Sequence, residues 1–401
     1  MRKESFIVLI VMFLLTVLSF VLTLPIIGFS VQPMRERATS ICVTVDGYKP
    51  PFNDYAQSGV PDFDQKQDEW GFPEPWTYCG PTAVANSLWW MDSRFEDPES
   101  PPPPEISDSF VMVTRYDMAW DDHDPQNVEP FIEDLAWYMD TDGQRTGYTH
   151  RGTLVWDMYA GIVQYLLDRG LQRVFEVQVW EMPFFENITD EVERCEDVIL
   201  LLGFHQEAEP LLYERVGGHY VTVSGVWSEE LKIAFSDPYI NNAEGGRPGR
   251  VLPYPHECNS SIHNNATFVS HDQYVVGLES PSPAGEVYIP NYPIFPTTYN
   301  IEGQNFQPEE MWEWNPMLPT HVEVEYMVTI SPVPGTEVLF GDANGDGYVN
   351  VWDLGALSDA WLSQVGDDNF DPRVDFNFDG YINIWDLGTL SEQWLKQVDE
   401  F

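Results

Sequence analysis

The stretch "PWTYCGPTAVANSLWW", residues 75–90, decides how the first half of the chain is read. Pro81 suits the first position of a helix, where its missing N–H would be unsatisfied in any case. Ala83, Val84, Ala85, Leu88 and Trp89 then recur at three- to four-residue spacing, the pattern of an apolar helix face. Cys79 stands directly ahead of that helix. There the positive end of the helix dipole favours thiolate over thiol, which prepares a nucleophile. A buried structural cysteine is the plainer reading of the same position.

Far downstream, "GGHYVTVSGVW" (217–227) and "LKIAFSDPY" (231–239) are β-rich runs separated only by "SEE" (228–230). They read as a hairpin. His219 and Asp237 lie nine residues on either side of Ser228. Antiparallel pairing would set them nearly opposite, with Cβ atoms about 5 Å apart. Asp237 could then accept from one imidazole nitrogen and leave the other facing a thiol. Gly217 and Gly218 would keep the approach to His219 open. Singly, His219 is an ordinary strand-edge histidine and Asp237-Pro238 an ordinary turn. Their registered pairing, together with a helix-start cysteine, favours catalysis.

"YCGPTAVANSLWW", "GGHYVTVSGVW" and "FSDPY" together resemble the papain-like cysteine peptidases related to bacteriocin-leader (double-glycine) processing enzymes. The resemblance implies Cys79 as nucleophile, His219 as general base and Asp237 as its orienting partner. It also implies an oxyanion-stabilising glutamine upstream, which "GVPDFDQKQDEW" (59–70) offers as Gln65, with Gln67 the alternative. The transporter and ATP-binding parts of leader-processing exporters are missing, so their substrate does not carry over.

The composition bounds what such a chain can do. It has 401 residues, 43% of them hydrophobic, with 15 Trp and 19 Tyr, enough for a substantial core. Its 19 basic against 65 acidic residues give a net charge of −46, which repels nucleic acid and anionic membrane surfaces. Arg2 and Lys3 precede an uncharged, largely apolar stretch from Ser5 to Phe29. Residues 1–30 thus read as a signal peptide or an N-terminal membrane anchor, and either one exports the remainder. The four cysteines, Cys42, Cys79, Cys195 and Cys258, form no metal spacing. With Cys79 free, at most one intramolecular disulfide forms. Sequons headed by Asn187, Asn259 and Asn265 fit an exported surface.

Periodicity divides the rest of the chain. Residues 31–54 read as irregular, and 55–333 as one globular domain containing an exposed polyproline insertion, "SPPPPE" (100–105). Asn127 could cap a helix through Val128, Phe131, Ile132, Leu135 and Met139. A further helix over 153–169 would turn Leu154, Met158, Ile162, Tyr165 and Leu166 inward and stop at Gly170. "VILLLGF" (198–204), "HYVTVSGVW" (219–227), "LKIAF" (231–235) and the alternating "HVEVEYMVTI" (321–330) read as strands. Helices first and strands later predict an α+β domain with a largely antiparallel sheet. Residues 280–320 read as a long loop, and 334–340 as a linker.

The C-terminal segment, 341–401, is duplicated. "GDANGDGYVNVWDLGALSDAWLSQ" (341–364) and "VDFNFDGYINIWDLGTLSEQWLKQ" (374–397) share fifteen of twenty-four positions at an offset of 33. Each copy supplies oxygen ligands at loop positions 1, 3, 5, 9 and 12 with glycine at 6, as an EF-hand-type calcium loop requires. In the first copy these are Asp342, Asn344, Asp346, Asn350 and Asp353, with the Tyr348 carbonyl at position 7. In the second they are Asp375, Asn377, Asp379, Asn383 and Asp386, with the Tyr381 carbonyl. Two in-phase copies predict two calcium ions. Leu354, Leu357 and Trp361, and likewise Leu387, Leu390 and Trp394, would share one helix face.

Aspartate at position 12, and no helix pattern before either loop, resemble type I dockerin modules. That resemblance implies a small all-α, calcium-dependent domain that docks to a cohesin on a scaffold or cell surface. Positions 10 and 11, often Ser/Thr in clostridial dockerins, are here Val351-Trp352 and Ile384-Trp385. The reading is an exported cysteine peptidase-like protein that cleaves peptide or protein substrates and is attached through a dockerin. An acyltransferase using the same triad is one alternative. A catalytically inactive papain-like binding module in a cellulosome-like assembly is the other.

Overall fold

The helix that opens at the Cys-Gly-Pro motif is α1, Cys79–Phe95, in the computed structural model, and it is buried from Gly80 to Ser93. Its apolar stripe understates this burial because α1 lies between the sheet and a second helix, so every face is covered. The structure describes residues 47–50, 59–63, 65, 77–95, 110, 112–113, 128–148, 150–209, 212–239, 272–278, 285–292, 318–333, 341–344, 347–364, 367, 369–376 and 381–397. The apolar stretch Ser5–Phe29, Gln67 and Asn127 lie outside them. Among the described residues no helix is long and apolar enough to cross a membrane.

Two of the expected helices pack beside α1. Helix α2, Val128–Tyr138, buries Phe131, Ile132 and Leu135. Helix α3, Val155–Asp168, turns Met158, Ile162, Tyr165 and Leu166 inward. The Phe131 ring joins the three helices, with its centroid 5.6 Å from Trp89 and 6.0 Å from Tyr165. Leu154, expected to face inward, is instead the extended N-cap of α3 and half-exposed. Gly170 follows α3 at φ +68°, the left-handed conformation in which helices commonly end.

The sheet has six strands, antiparallel throughout, in the order β1-β6-β2-β3-β4-β5. They are β1 Phe175–Glu181, β2 Asp197–Glu209, β3 Leu212–Trp227, β4 Lys232–Ser236, β5 Asp272–Val275 and β6 Thr320–Pro332. The alternating sequence of β6 does not carry over into its burial. The strand is instead buried over most of its length, as a strand paired on both sides and covered on both faces must be. β1, β5 and helix α4, Phe185–Glu193, were not anticipated. β1 and β5 are the two edge strands and half-polar, so their hydrophobic signal is weak.

One face of the sheet receives α1, where the Thr222 hydroxyl donates to the Ala83 carbonyl at 2.6 Å. A separate cluster joins Ile188 and Val192 of α4 to Val198, Val221 and Val223 of the sheet and to Ile289. The segment 47–50, read from sequence as part of the irregular N-terminal stretch, packs on this domain. Tyr48 bridges Gly225 on β3, and the Lys49 ammonium forms a fully buried ion pair with Asp197 at 2.7 Å. The same ammonium lies 4.2 Å from the centre of a Trp90 ring, tying the segment to α1 as well. Cys195 is disulfide-bonded, whereas Cys79 carries a free thiol.

Candidate functional site

Cys79 is the first residue of α1, and Gly80 explains the motif that follows it. A Cβ at Gly80 would sit 2.6 Å from Thr153 Oγ1 and 2.8 Å from its Cβ, closer than atoms pack. The glycine therefore lets the start of α1 approach the chain ahead of α3. The same Thr153 hydrogen-bonds Thr141 at 2.7 Å, and its carbonyl accepts from the Tyr220 hydroxyl at 3.1 Å. Residues 77 and 78 are held from the other side. The Thr77 hydroxyl donates to Asp142 at 2.5 Å, and the Gln144 amide donates to the Tyr78 oxygen at 2.6 Å.

His219 lies on β3 and is buried, with Nε2 2.8 Å from Asp237 Oδ1. Its ring is also hydrogen-bonded to the Cys79 side chain, which leaves Nδ1 as the nitrogen facing sulfur. Burial alone would lower the His219 pKa. The charge and hydrogen bond of Asp237, joined by the bond and charge of Cys79, outweigh it and raise the value to about 10. Burial works against the Asp237 carboxylate too, yet its pKa is held down by His219, by the Tyr292 hydroxyl and by the Tyr239 N–H. The latter two donate to Oδ2 at 2.6 Å and Oδ1 at 2.9 Å. Cys79, His219 and Asp237 thus form one hydrogen-bonded chain with a charged, fully engaged carboxylate at its buried end.

The route to this contact differs from the expected one. Leu231 takes φ +50° in the turn, so the hairpin loop is four residues rather than three, and the ladder begins at Trp227↔Lys232. A bulge between Val223 and Gly225 shifts the register to Thr222↔Ser236, where β4 ends. Continued by one residue, that register sets Asp237 opposite Val221, so His219 is its diagonal neighbour and not its direct partner. The glycines also serve a different purpose. Gly218 faces Gly203 on β2, and a Cβ at either would strike the Arg215 guanidinium or the Glu325 carboxylate. Arg215 Nε and His205 Nε2 lie 2.8 and 3.0 Å from Glu325 Oε1, a cluster beside the triad that sequence reading missed.

Gln65 is buried, and its N–H donates to the Pro238 carbonyl at 2.8 Å, one residue from Asp237. Phe63, two residues earlier, donates its N–H to Asn86 on α1 at 2.9 Å. The segment carrying Gln65 is therefore pinned between α1 and the end of β4. Tyr292, the second anchor of Asp237, also escaped sequence reading. It lies in a proline- and aromatic-rich stretch without periodicity, and no local signal marks it.

The C-terminal repeats build two matching loops. Helices α5, Val351–Asp359, and α6, Ile384–Glu392, each follow one loop. Val349 donates to the Lys396 carbonyl and accepts from Leu395 N–H, at 3.0 and 2.9 Å. In the other copy, Ile382 donates to the Ser363 carbonyl and accepts from Leu362 N–H, both at 2.9 Å. Every partner is offset by 33, so each loop is braced by the segment that follows the other repeat's helix. Residues 340–393 match the dockerin type I domain. No curated protein and no solved structure matches the chain. Dockerin type I domains bind calcium and dock to cohesins outside the cell.

The described residues of this dockerin fit a cation. Asp353 and Asp386, at loop position 12, are fully buried, and each accepts two backbone N–H groups of its own loop. Asp353 takes those of Asn344 and Asn350 at 3.2 and 2.8 Å; Asp386 takes those of Phe376 and Asn383 at 2.8 and 2.7 Å. Asp342 Oδ2 accepts from the Gly347 N–H at 2.7 Å, across a φ of +84° at loop position 6. Asp375 is buried as well. Anionic oxygens gathered in a small core are the donor set of a calcium loop. Asn350 and Asn383 cap their helices through their side-chain oxygens, at 2.9 Å from Trp352 and Trp385 N–H. Their side-chain NH2 groups reach the Tyr348 and Tyr381 carbonyls at 3.3 and 3.1 Å. Asp346, Asn377 and Asp379 lie outside the described residues.

The helices end two residues short of Trp361 and Trp394. Leu357 and Leu390 are buried, but Trp361 and Trp394 fall in the turns beyond and are partly exposed. Leu362 and Leu395 then take the left-handed conformation at φ +63° and +65°, again in matching positions.

Proposed function

We propose that residues 55–333 form a papain-like cysteine peptidase domain that the dockerin attaches to a cohesin-bearing scaffold or cell surface. The observation that supports the peptidase reading is the chain Cys79–His219–Asp237, with a free cysteine at a helix start and an imidazole bonded on both nitrogens. In this mechanism the Cys79 sulfur attacks a peptide carbonyl carbon, and His219 passes the proton to the departing amine. Water, deprotonated by His219, then attacks the thioester and restores the thiol. The Cys79 N–H at the start of α1, joined by the side-chain amide of Gln65, would steady the tetrahedral oxyanion. Asp237 keeps the imidazole aligned and favours its protonated form, while Tyr292 fixes the carboxylate.

In the dockerin, Asp342, Asn344, Asp353, Asp375 and Asp386 would hold calcium together with the Tyr348 and Tyr381 carbonyls. The ions would neutralise carboxylates that otherwise repel one another. Val351-Trp352 and Ile384-Trp385 are well exposed in both copies, which supports an apolar cohesin contact in place of a hydroxyl-mediated one. Turnover of a peptide library by the whole protein, beside Cys79→Ala, tests the peptidase reading. Loss of about 10⁴-fold or more in the variant, with unchanged melting, is expected for a removed nucleophile. Full activity in Cys79→Ala would sink the reading, and amine-dependent product without hydrolysis would replace it with acyl transfer.

A further inference from the structure

The loop between α2 and α3 carries a cluster that the triad and the calcium loops do not use. Asp140 follows α2, His150 lies ten residues on, and Asp157 stands in the first turn of α3. Each turns one ligand atom inward, and these atoms all lie within 4.8 Å of one another. The buried Asp140 carboxylate is fixed by the N–H groups of Arg145 and Thr146 and by the Thr146 hydroxyl, at 2.7, 2.9 and 2.5 Å.

His150 is the informative member. Both its ring nitrogens are shut off from solvent and have no hydrogen-bond partner among the described residues. The Oδ2 atom of Asp157 is 4.0 Å from Nε2, too long for a hydrogen bond. An imidazole enclosed with neither nitrogen satisfied is costly, and a shared cation would remove that cost. Ligand atoms about 2.0–2.2 Å from a tetrahedral ion stand about 3.4 Å apart, so these two side chains need close only slightly on the ion.

We propose that Asp140, His150 and Asp157 bind a divalent transition-metal ion of the zinc class. One imidazole with two carboxylates suits zinc, whereas calcium selects oxygen ligands alone. The two carboxylates balance the charge of the ion. Asp157, about one-third exposed, leaves a side open for water to complete the shell. The ion closes a loop that is already tied to the residues ahead of Cys79, through Asp142 to Thr77 and through Gln144 to Tyr78. Its role is to brace that segment.

Co²⁺ titration of the whole protein, with calcium in excess to fill the dockerin, tests the site. The expected result is one tightly held Co²⁺ per chain with visible d–d absorption, displaced by Zn²⁺ and retained in Cys79→Ala. His150→Ala should weaken binding at least tenfold. Asp157→Asn, at a partly exposed position that disturbs the fold least, should do the same and remove the rise in melting temperature given by Zn²⁺. Absence of a d–d band in the wild type, or a band unchanged in both His150→Ala and Asp157→Asn, would overturn the proposal.

Discussion

The two candidate sites of this chain are built in opposite ways. Each dockerin loop would draw its calcium ligands from twelve consecutive residues, and the hydrogen bonds that its position-1 and position-12 aspartates accept join positions no more than ten apart. The triad joins the start of α1, the middle of β3, the residue after β4 and a tyrosine on a further loop, Tyr292. The first site is a local motif that needs a cation to offset its charge. The second is a product of tertiary folding that stores its charges in a buried hydrogen-bond chain. Conditions that dismantle one should therefore leave the other standing.

Calcium withdrawal should produce the largest separation. Residues 341–401 hold 13 acidic and 2 basic residues over a small core, and chelator leaves their converging carboxylates unscreened. Calorimetry of the whole protein should lose the dockerin transition in chelator while the main transition stays. Asp353→Ala and Asp386→Ala should each weaken one calcium site by about tenfold or more. Their combination should abolish cohesin capture without slowing peptide turnover. Coupled loss of turnover would break the contrast.

Asp237→Asn should cost about 10²-fold in kcat/KM, because the aspartate orients and does not react. It should also move the pH profile. The His219 pKa lies above its ordinary value, so the imidazolium persists as pH rises and is lost only on passing about 10. Removing the Asp237 charge lowers that pKa, so the alkaline limb must shift to lower pH. An unshifted limb would mean that Asp237 only braces the fold.

Smaller effects sharpen the same picture. Gly80→Ala introduces a methyl where Thr153 already stands, and overpacking of this kind costs about 1–3 kcal/mol. Thermal melting should register it in the main transition alone. Tyr292→Phe removes one donor to Asp237 while two remain, so turnover should fall only several-fold, about 1 kcal/mol. A pH profile shifted in the same direction as that of Asp237→Asn, but less, would mark Tyr292 as a positioning residue.

This contrast also explains what the sequence disclosed. The dockerin was legible because ligand spacing, glycine and duplication are all local, and its family match agrees. Trp361 and Trp394 were placed on the helix face of the leucines because helix periodicity does not announce that each helix ends at Asp359 or Glu392. In the larger domain, helix α1 and the hairpin were legible from Cys79-Gly80-Pro81 and from β-branched runs. The exact register was not, because a bulge near Ser224 and a left-handed Leu231 depend on backbone packing. Tyr292 and the Arg215–Glu325–His205 cluster become neighbours of the triad only once strands distant in sequence are paired.

The most direct measurement is the rate of iodoacetamide alkylation at Cys79, in calcium and in chelator, with peptide turnover followed on the same samples. Turnover should be lost in proportion to labelling at Cys79, at a rate unchanged by chelator. Labelling of Cys79 that leaves turnover intact, or a labelling rate that changes with chelator, would contradict this.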